Sequence, residues 1–152
     1  MGLPEEIAAP QLQTLYEWWR ARHVEDKLPS RRQIDPFDLK FLLGNLMIID
    51  VTHDPLRFHF RLIGTNLASR MERDWTGRPL DTYPGVEFRE HLQKTYETVV
   101  SGGQPVANSR RLLVDRRYYR YDGLILPLAT DGKTIDALLV GIVQHGDSSP
   151  AS

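Results

Sequence analysis

The stretch LILPLATDGKTIDALLVGIV, residues 124–143, decides the fold of this 152-residue chain. Two apolar runs flank the pair Asp131-Gly132, which is typical of a tight β-hairpin turn. The second run has four consecutive apolar residues at 137–140, and this indicates a central strand that is buried on both faces. Pro127 has no N–H group for a strand ladder, so it predicts a bulge or an edge position late in the first run.

Three further strands are predicted before this hairpin. An apolar run predicts a strand over 46–51. Residues 57–63 alternate strictly, with Phe58, Phe60 and Leu62 on one face, which predicts a half-buried strand that pairs with the first. A third strand is predicted over 106–114, and the hairpin itself supplies strands over 118–128 and 135–143.

Helical spacing of apolar residues predicts the remaining elements. Asp35-Pro36 is typical of a helix start and predicts a short helix of about two turns. Another short helix is predicted over 65–73 and a longer one over 86–100. The first helix, over 11–23, has one apolar stripe, which consists of Leu12, Leu15, Tyr16 and Trp19. The order of helices and strands indicates an α+β domain built on an antiparallel sheet.

The length of the chain favours one domain. We expect a flexible lead-in over 1–10, an N-terminal helical segment over 11–44, a core domain over 45–145 and a disordered tail over 146–152. Because the chain has no cysteine, it has no disulfide, no thiolate metal site and no cysteine nucleophile. The sequence has no apolar stretch of membrane-spanning length and no secretory signal, which favours a cytoplasmic protein.

Composition and motifs also bear on the kind of function. The formal net charge of −1 gives no general attraction to nucleic acid or to anionic membranes, so neither is expected as a partner. The sequence has no phosphate-binding loop, no dinucleotide fingerprint, no nucleophile elbow and no zinc-protease motif. We therefore expect a protein that is not an enzyme and has no metal site.

Several short motifs, in their order and spacing, point to one family. They are WW at 18–19, LPSR at 28–31, IDP at 34–36, FRLIGT at 60–65, TGRPL at 76–80 and LPLATDG at 126–132. Over roughly residues 12–144 the chain resembles a PAS domain, of the small bacterial (alphaproteobacterial) stand-alone PAS family that includes a PAS motility regulator. The resemblance implies a five-stranded antiparallel sheet in the order 2-1-5-4-3, with helices on one face and an extra N-terminal helical segment.

The same resemblance implies a function. It indicates a sensory and regulatory module of bacterial cytoplasmic signalling, which acts through small-ligand binding, through protein–protein contact, or through both. A signalling protein partner and a homodimer are expected. The alternatives are a ligand-independent interaction or dimerisation module, and a haem or nucleotide second-messenger sensor. No cofactor is predicted, although a small-molecule ligand is compatible with the family.

Residues for a ligand pocket between the sheet and the helices follow from the predicted faces. The candidates are Phe58, Phe60, Leu62, Met71, His91, Tyr96 and Tyr119. An apolar cavity with few polar groups is the usual small-molecule site, and the alternative is a core that is simply filled. His91 is the candidate haem ligand, but a surface or boundary histidine is the favoured interpretation, and haem is disfavoured.

Arginines concentrate on the hairpin that precedes the last strand. Arg110, Arg111, Arg117 and Arg120 lie close in sequence, and tyrosines interleave with them. Guanidinium groups bind phosphate and carboxylate in a bidentate manner, which suggests an anion or nucleotide site. The alternative is a solvated sheet edge in which the tyrosines stabilise strands.

The stripe of Leu12, Leu15, Tyr16 and Trp19 also has two interpretations. Aromatic residues are enriched at the centres of protein interfaces, so the stripe is a candidate dimer or partner interface. Alternatively it covers the sheet of its own subunit.

Overall fold

Five strands form one antiparallel sheet in the order β2-β1-β5-β4-β3. The computed structural model describes residues 7–150, apart from 72 and 115. The strands are β1 Leu46–Thr52, β2 Arg57–Ile63, β3 Val106–Val114, β4 Arg117–Leu128 and β5 Ala137–Pro150. The helices are α1 Pro10–Ala21, α2 Thr65–Ala68 and α3 Val86–Gly102. Short 3-10 turns lie at Arg31–Gln33, Leu43–Asn45 and Leu80–Thr82.

The last strand lies in the middle of the sheet. β5 pairs with β1 on one side and with β4 on the other, which confirms the predicted central strand and the order 2-1-5-4-3. Pro127 lies at an edge, because β3 begins opposite Ile125 and leaves the end of β4 open on that side. There the Pro127 carbonyl accepts a hydrogen bond from Trp19 Nε1 at 2.9 Å.

Different segments cover the two faces of the sheet, α2 and α3 on one face and α1 on the other. We call the face under α2 and α3 the helix face, and the opposite one the α1 face. Alternation along β5 sends Leu138, Val140 and Ile142 to the helix face, while Ala137 and Leu139 go to the α1 face. Burial on both faces explains why this part of β5 is almost continuously apolar.

The apolar stripe of α1 packs against its own sheet. Leu12 and Leu15 are buried directly over Gly141 of β5, where an added Cβ atom would lie 2.9 and 2.7 Å from their Cδ2 atoms. Tyr16 and Trp19 are also buried within the chain. Because these side chains are not exposed, the intramolecular alternative is correct, and the prediction of a dimer or partner interface at the stripe is wrong.

A β-bulge changes the predicted faces of β2. Ile48 pairs with Leu62 and Ile49 pairs with Phe60, so Arg61 is the extra residue. One extra residue reverses the alternation beyond it. Leu62 therefore leaves the side of Phe60 and is 42% exposed. The prediction that Leu62 faces the pocket is wrong for this reason.

Other boundaries also differ from the predictions. The segment after Asp35-Pro36 makes successive turns with i to i+3 hydrogen bonds rather than a regular helix. In the predicted lead-in, Ile7 and Ala9 are buried beside α1, while residues 1–6 lie outside the described part. β5 extends to Pro150, so residues 146–150 belong to a strand and not to a disordered tail. Among the described residues, no helix has the length and hydropathy that crossing a membrane requires.

Candidate functional site

Two small cavities lie between the helices and the helix face of the sheet. The first is bounded by α3, β3, β4 and β5, and the second by α2, α3, β1, β4 and β5. Each has a volume of about 20 Å³, which is room for about one water molecule. Tyr121 and Ile142 line both cavities, so they form the partition between them.

The sequence of α3 places polar groups beside its buried stripe. Phe88, Leu92 and Tyr96 recur at intervals of four residues, and all three are buried. His91 and Thr95 lie next to this stripe and line the first cavity together with Tyr96. The helix ends at Gly103, whose φ of 69° is the left-handed conformation that favours glycine. α3 therefore supplies both apolar and polar side chains to the wall of the first cavity.

Tyr96 is the most enclosed polar residue of the first cavity. Its side chain is fully buried, and within the described part of the chain its hydroxyl has no hydrogen-bond partner. Burial raises the pKa of Tyr96 well above its ordinary value, so the group is a neutral hydroxyl that can donate. The Phe58 ring packs against it edge to face, with centroids 5.5 Å apart. A buried polar atom of this kind marks a position where a ligand group or a water can bind.

Asn108 and Gly123 shape the opposite wall of the first cavity. They are paired across β3 and β4, and a Cβ atom at Gly123 would lie 2.7 Å from Asn108 Oδ1. The absence of a side chain at Gly123 therefore leaves room for the Asn108 amide. The amide and the Tyr96 hydroxyl are two neutral polar groups on the wall of one cavity.

His91 is held neutral in the folded protein. Burial, and next the charge of Arg110 on β3, lower the pKa of His91 to about 4. In the unfolded chain the imidazole titrates near pH 6.5. Between these two values the unfolded chain binds a proton that the folded chain does not, so stability falls as the pH decreases from 6.5 to 4.

We therefore expect His91→Gln to remove part of the acid sensitivity. The free energy of unfolding of the wild type should fall by about 1 kcal/mol more than that of the variant between pH 6.5 and 4, a value discounted for partial exposure. Urea unfolding at several pH values measures this difference. Parallel pH profiles of the two proteins would show that His91 is not held neutral.

The second cavity is lined by one cation, Arg70, by Tyr121 and by apolar side chains. Arg70 follows α2, and its guanidinium carbon lies 5.6 Å from the Tyr119 ring centroid and 6.0 Å from that of Tyr121. The two tyrosine rings are stacked, with centroids 5.7 Å apart. Burial raises the pKa of Tyr121 to about 12, with Arg70 acting in the opposite direction. Tyr121 is therefore neutral at pH 7.

The predicted pocket residues have different positions in the structure. His91 and Tyr96 line the first cavity and Met71 lines the second. Phe58 and Phe60 are buried in the core of the helix face, and Phe58 supports the Tyr96 ring. Tyr119 lies under Arg70 without lining either cavity. Leu62 is on the other side of the sheet, as described above.

The predicted arginine cluster is divided between the two faces. Arg111 lies directly opposite Arg120, whereas Arg110 lies opposite Tyr121 and lines the first cavity. Alternation along the strands places Arg117 on the same side as Arg110, and Arg111 and Arg120 on the other side. The four arginines therefore do not form one anion or nucleotide site. The prediction of a single arginine cluster is wrong.

Arg70, Asn108 and Tyr121 are site residues that the sequence analysis missed. Tyr121 shares a face with Tyr119 by simple alternation, so the period-two pattern of β4 could have identified it. Arg70 has no such signal, because a charged residue after a short helix is ordinarily exposed. Among the described residues, no group of three His, Asp or Glu side chains is placed to hold a metal ion.

The fold resembles several solved structures at low sequence identity. A sensory box sensor histidine kinase from Vibrio cholerae is 18% identical, with a TM-score of 0.49 over 72% of this chain and 90% of that one. A domain of an HTR-like protein from Haloarcula marismortui is 16% identical, with a TM-score of 0.45 over 67% and 99%. An RNA-binding light-oxygen-voltage receptor is 12% identical, with a TM-score of 0.51 over 76% and 35%. At these identities the likeness concerns the fold alone.

Comparison with protein families gives a more specific result. A search of curated proteins finds no match. A family model described as a PAS domain matches residues 7–144, which include all three helices and nearly the whole sheet. The match covers most of the chain and agrees with the observed strand order 2-1-5-4-3. The chain therefore belongs to the PAS domain family.

Proposed function

We propose that this PAS domain is a sensory module of bacterial cytoplasmic signalling that binds a small molecule between α3 and the sheet. The ligand occupies the two cavities together and displaces the partition at Tyr121. The observation that carries the proposal is the Tyr96 hydroxyl, which is fully buried in the wall of a cavity without a partner among the described residues. Apolar cavities with a few placed polar groups are the usual small-molecule sites.

The central strand provides a physical route from the cavities to α1. Val140 and Ile142 of β5 line the first cavity, and Gly141 between them faces Leu12 and Leu15 of α1. Each cavity holds about one water molecule, so a larger ligand must move its walls. A shift of β5 changes the surface against which α1 packs. A ligand that binds the shifted arrangement more tightly therefore changes the population of α1 positions.

Output through another protein is the second part of the proposal. In this proposal the position of α1 is read by a signalling partner or by a second copy of the chain. The rival function is a ligand-independent interaction module. It is favoured by the small size of the two cavities.

A plugging substitution distinguishes these functions. Thr95 and Thr98 lie on α3, and each donates its hydroxyl hydrogen bond to the carbonyl four residues earlier. Only Thr95 lines the first cavity, while Thr98 is exposed. Thr95→Phe should abolish the increase in Tm that a bound small molecule causes, whereas Thr98→Phe should retain it. A thermal-shift screen of metabolite-like compounds on the three proteins measures this.

Each outcome of the screen has a defined meaning. Binding that Thr95→Phe abolishes, together with slower hydrogen exchange in α1 of the wild type on binding, supports the sensory function. Binding that both variants retain would place the ligand elsewhere and contradict the proposal. The absence of any stabilising compound would favour the ligand-independent module. A Soret absorbance band after incubation with haem would instead favour a haem sensor.

A further inference from the structure

Arg70 is a cation without a counter-ion in the described structure. Its Nη1 atom is buried and has no hydrogen-bond partner among residues 7–150, with 72 and 115 left aside. The ion pairs found in that part of the chain all involve other arginines. Arg70 as a whole is half-buried, but a buried guanidinium nitrogen that lacks a partner is costly, because its lost hydration is not replaced. Such a group is a binding position for an anion.

The surroundings of Arg70 restrict the kind of anion. Met47, Met71, Phe88 and Ile142 form most of the remaining wall of the second cavity. A multiply charged phosphate would lose its hydration against these apolar groups with only one guanidinium in return. A carboxylate carries one charge and matches a single guanidinium through two parallel hydrogen bonds. An apolar body attached to it would contact the methionine and aromatic side chains.

The guanidinium is also held in place before any ligand binds. It lies over the rings of both Tyr119 and Tyr121, where cation–π attraction stabilises this position. A pre-positioned cation loses little side-chain entropy on binding, which improves affinity. Tyr121 also separates the two cavities. An anion bound at Arg70 would therefore lie next to the side chain that must move before the cavities can join.

We infer that the ligand is a small monocarboxylate with an apolar body, whose carboxylate pairs with Arg70 and whose body extends past Tyr121 toward Tyr96. This inference rests on the proposed function, since it specifies the ligand of the same site. Short aliphatic acids and simple aryl acids have the required chemistry. Their neutral amides, which have nearly the same shape, should bind much more weakly.

The test compares acids with their amides on matched arginine variants. Hexanoate and benzoate are the probes, with hexanamide, benzamide and inorganic phosphate as controls. At about 100 times Kd, a probe acid should raise the Tm of the wild type by roughly 5 °C or more. Arg70→Gln should bind about 10- to 100-fold more weakly, so at the same probe concentration it should keep only about one half to one seventh of the shift. Arg73→Gln is the matched control, because Arg73 is exposed and lines neither cavity.

A conservative variant, Arg70→Lys, controls for misfolding of Arg70→Gln. Arg70→Lys keeps the charge but not the two-pronged geometry, so it should retain a reduced shift with the acids. The inference is overturned if the amides shift Tm as much as the acids, if Arg70→Gln keeps the full shift, or if no acid binds. Neutral compounds whose binding Thr95→Phe abolishes would leave the proposed function intact while the carboxylate inference fails.

Discussion

Replacing Gly64 with alanine should lower the free energy of unfolding by about 3 kcal/mol. An added Cβ atom would lie 2.5 Å from the carbonyl carbon and oxygen of Gly44 and 2.6 Å from the carbonyl oxygen of Leu43. These are backbone atoms, which cannot rotate away as a side chain can. The substitution would also disturb the hydrogen bond from the Gly64 N–H to the Leu46 carbonyl, at 2.7 Å.

The effect of Gly64→Ala should extend to the ligand site. Gly64 directly precedes α2, and Arg70 and Met71 of the second cavity follow that helix. Gly102→Ala is the matched control, because its added Cβ atom meets nothing within 4 Å in a helix. It should be neutral or stabilising by up to about 1 kcal/mol. Urea unfolding followed by circular dichroism measures both, and an unchanged midpoint for Gly64→Ala would show that the two backbone segments are not in contact.

Replacing Trp19 with alanine should have a similarly large effect, about 4 kcal/mol. The indole is 5% exposed, and it fills the space between α1 and the end of β4. Its ring contacts Tyr16, with centroids 5.9 Å apart, and meets His23 edge to face at 4.2 Å. The substitution leaves both a cavity and an unpaired Pro127 carbonyl.

A second variant separates the two contributions of Trp19. Trp19→Phe keeps an aromatic ring but removes the Nε1 donor, so it should cost about 1–3 kcal/mol. Val24→Ala is the surface control, because Val24 is 65% exposed and its replacement should change stability by less than about 0.5 kcal/mol. If Trp19→Ala were as mild as this control, α1 would not be packed on the sheet as described.

The parts of the fold that the sequence predicts are those with a regular period. The apolar run of β5 predicts its central position, because only a strand covered on both faces tolerates so little polarity. The missing N–H group of Pro127 predicts a bulge or an edge position, and the structure has the edge. The four-residue spacing of Phe88, Leu92 and Tyr96 predicts the buried side of α3. In each case the residues of one strand or helix are sufficient for the prediction, because the pattern lies within that element.

The features that the sequence does not predict depend on contacts between distant segments. The bulge at Arg61 arises in the pairing of β1 with β2, and a sequence that alternates to Leu62 gives no sign of it. The turns after Pro36 depend on how Leu39 and Leu42 reach the α1 face. The position of the Arg70 guanidinium depends on two tyrosines of β4 that lie about fifty residues later.

The most direct test of the carboxylate-binding interior is a methionine-methyl NMR titration. Met47 and Met71 line the second cavity, and because the chain has three methionines, Met47→Leu and Met71→Leu are both used to identify their signals. With ¹³C-methyl methionine and hexanoate at about its wild-type Kd, both signals should shift in the wild type and in Arg73→Gln but hardly in Arg70→Gln, and hexanamide should shift neither. Unchanged signals at saturating hexanoate, or equal shifts in Arg70→Gln, would contradict the account.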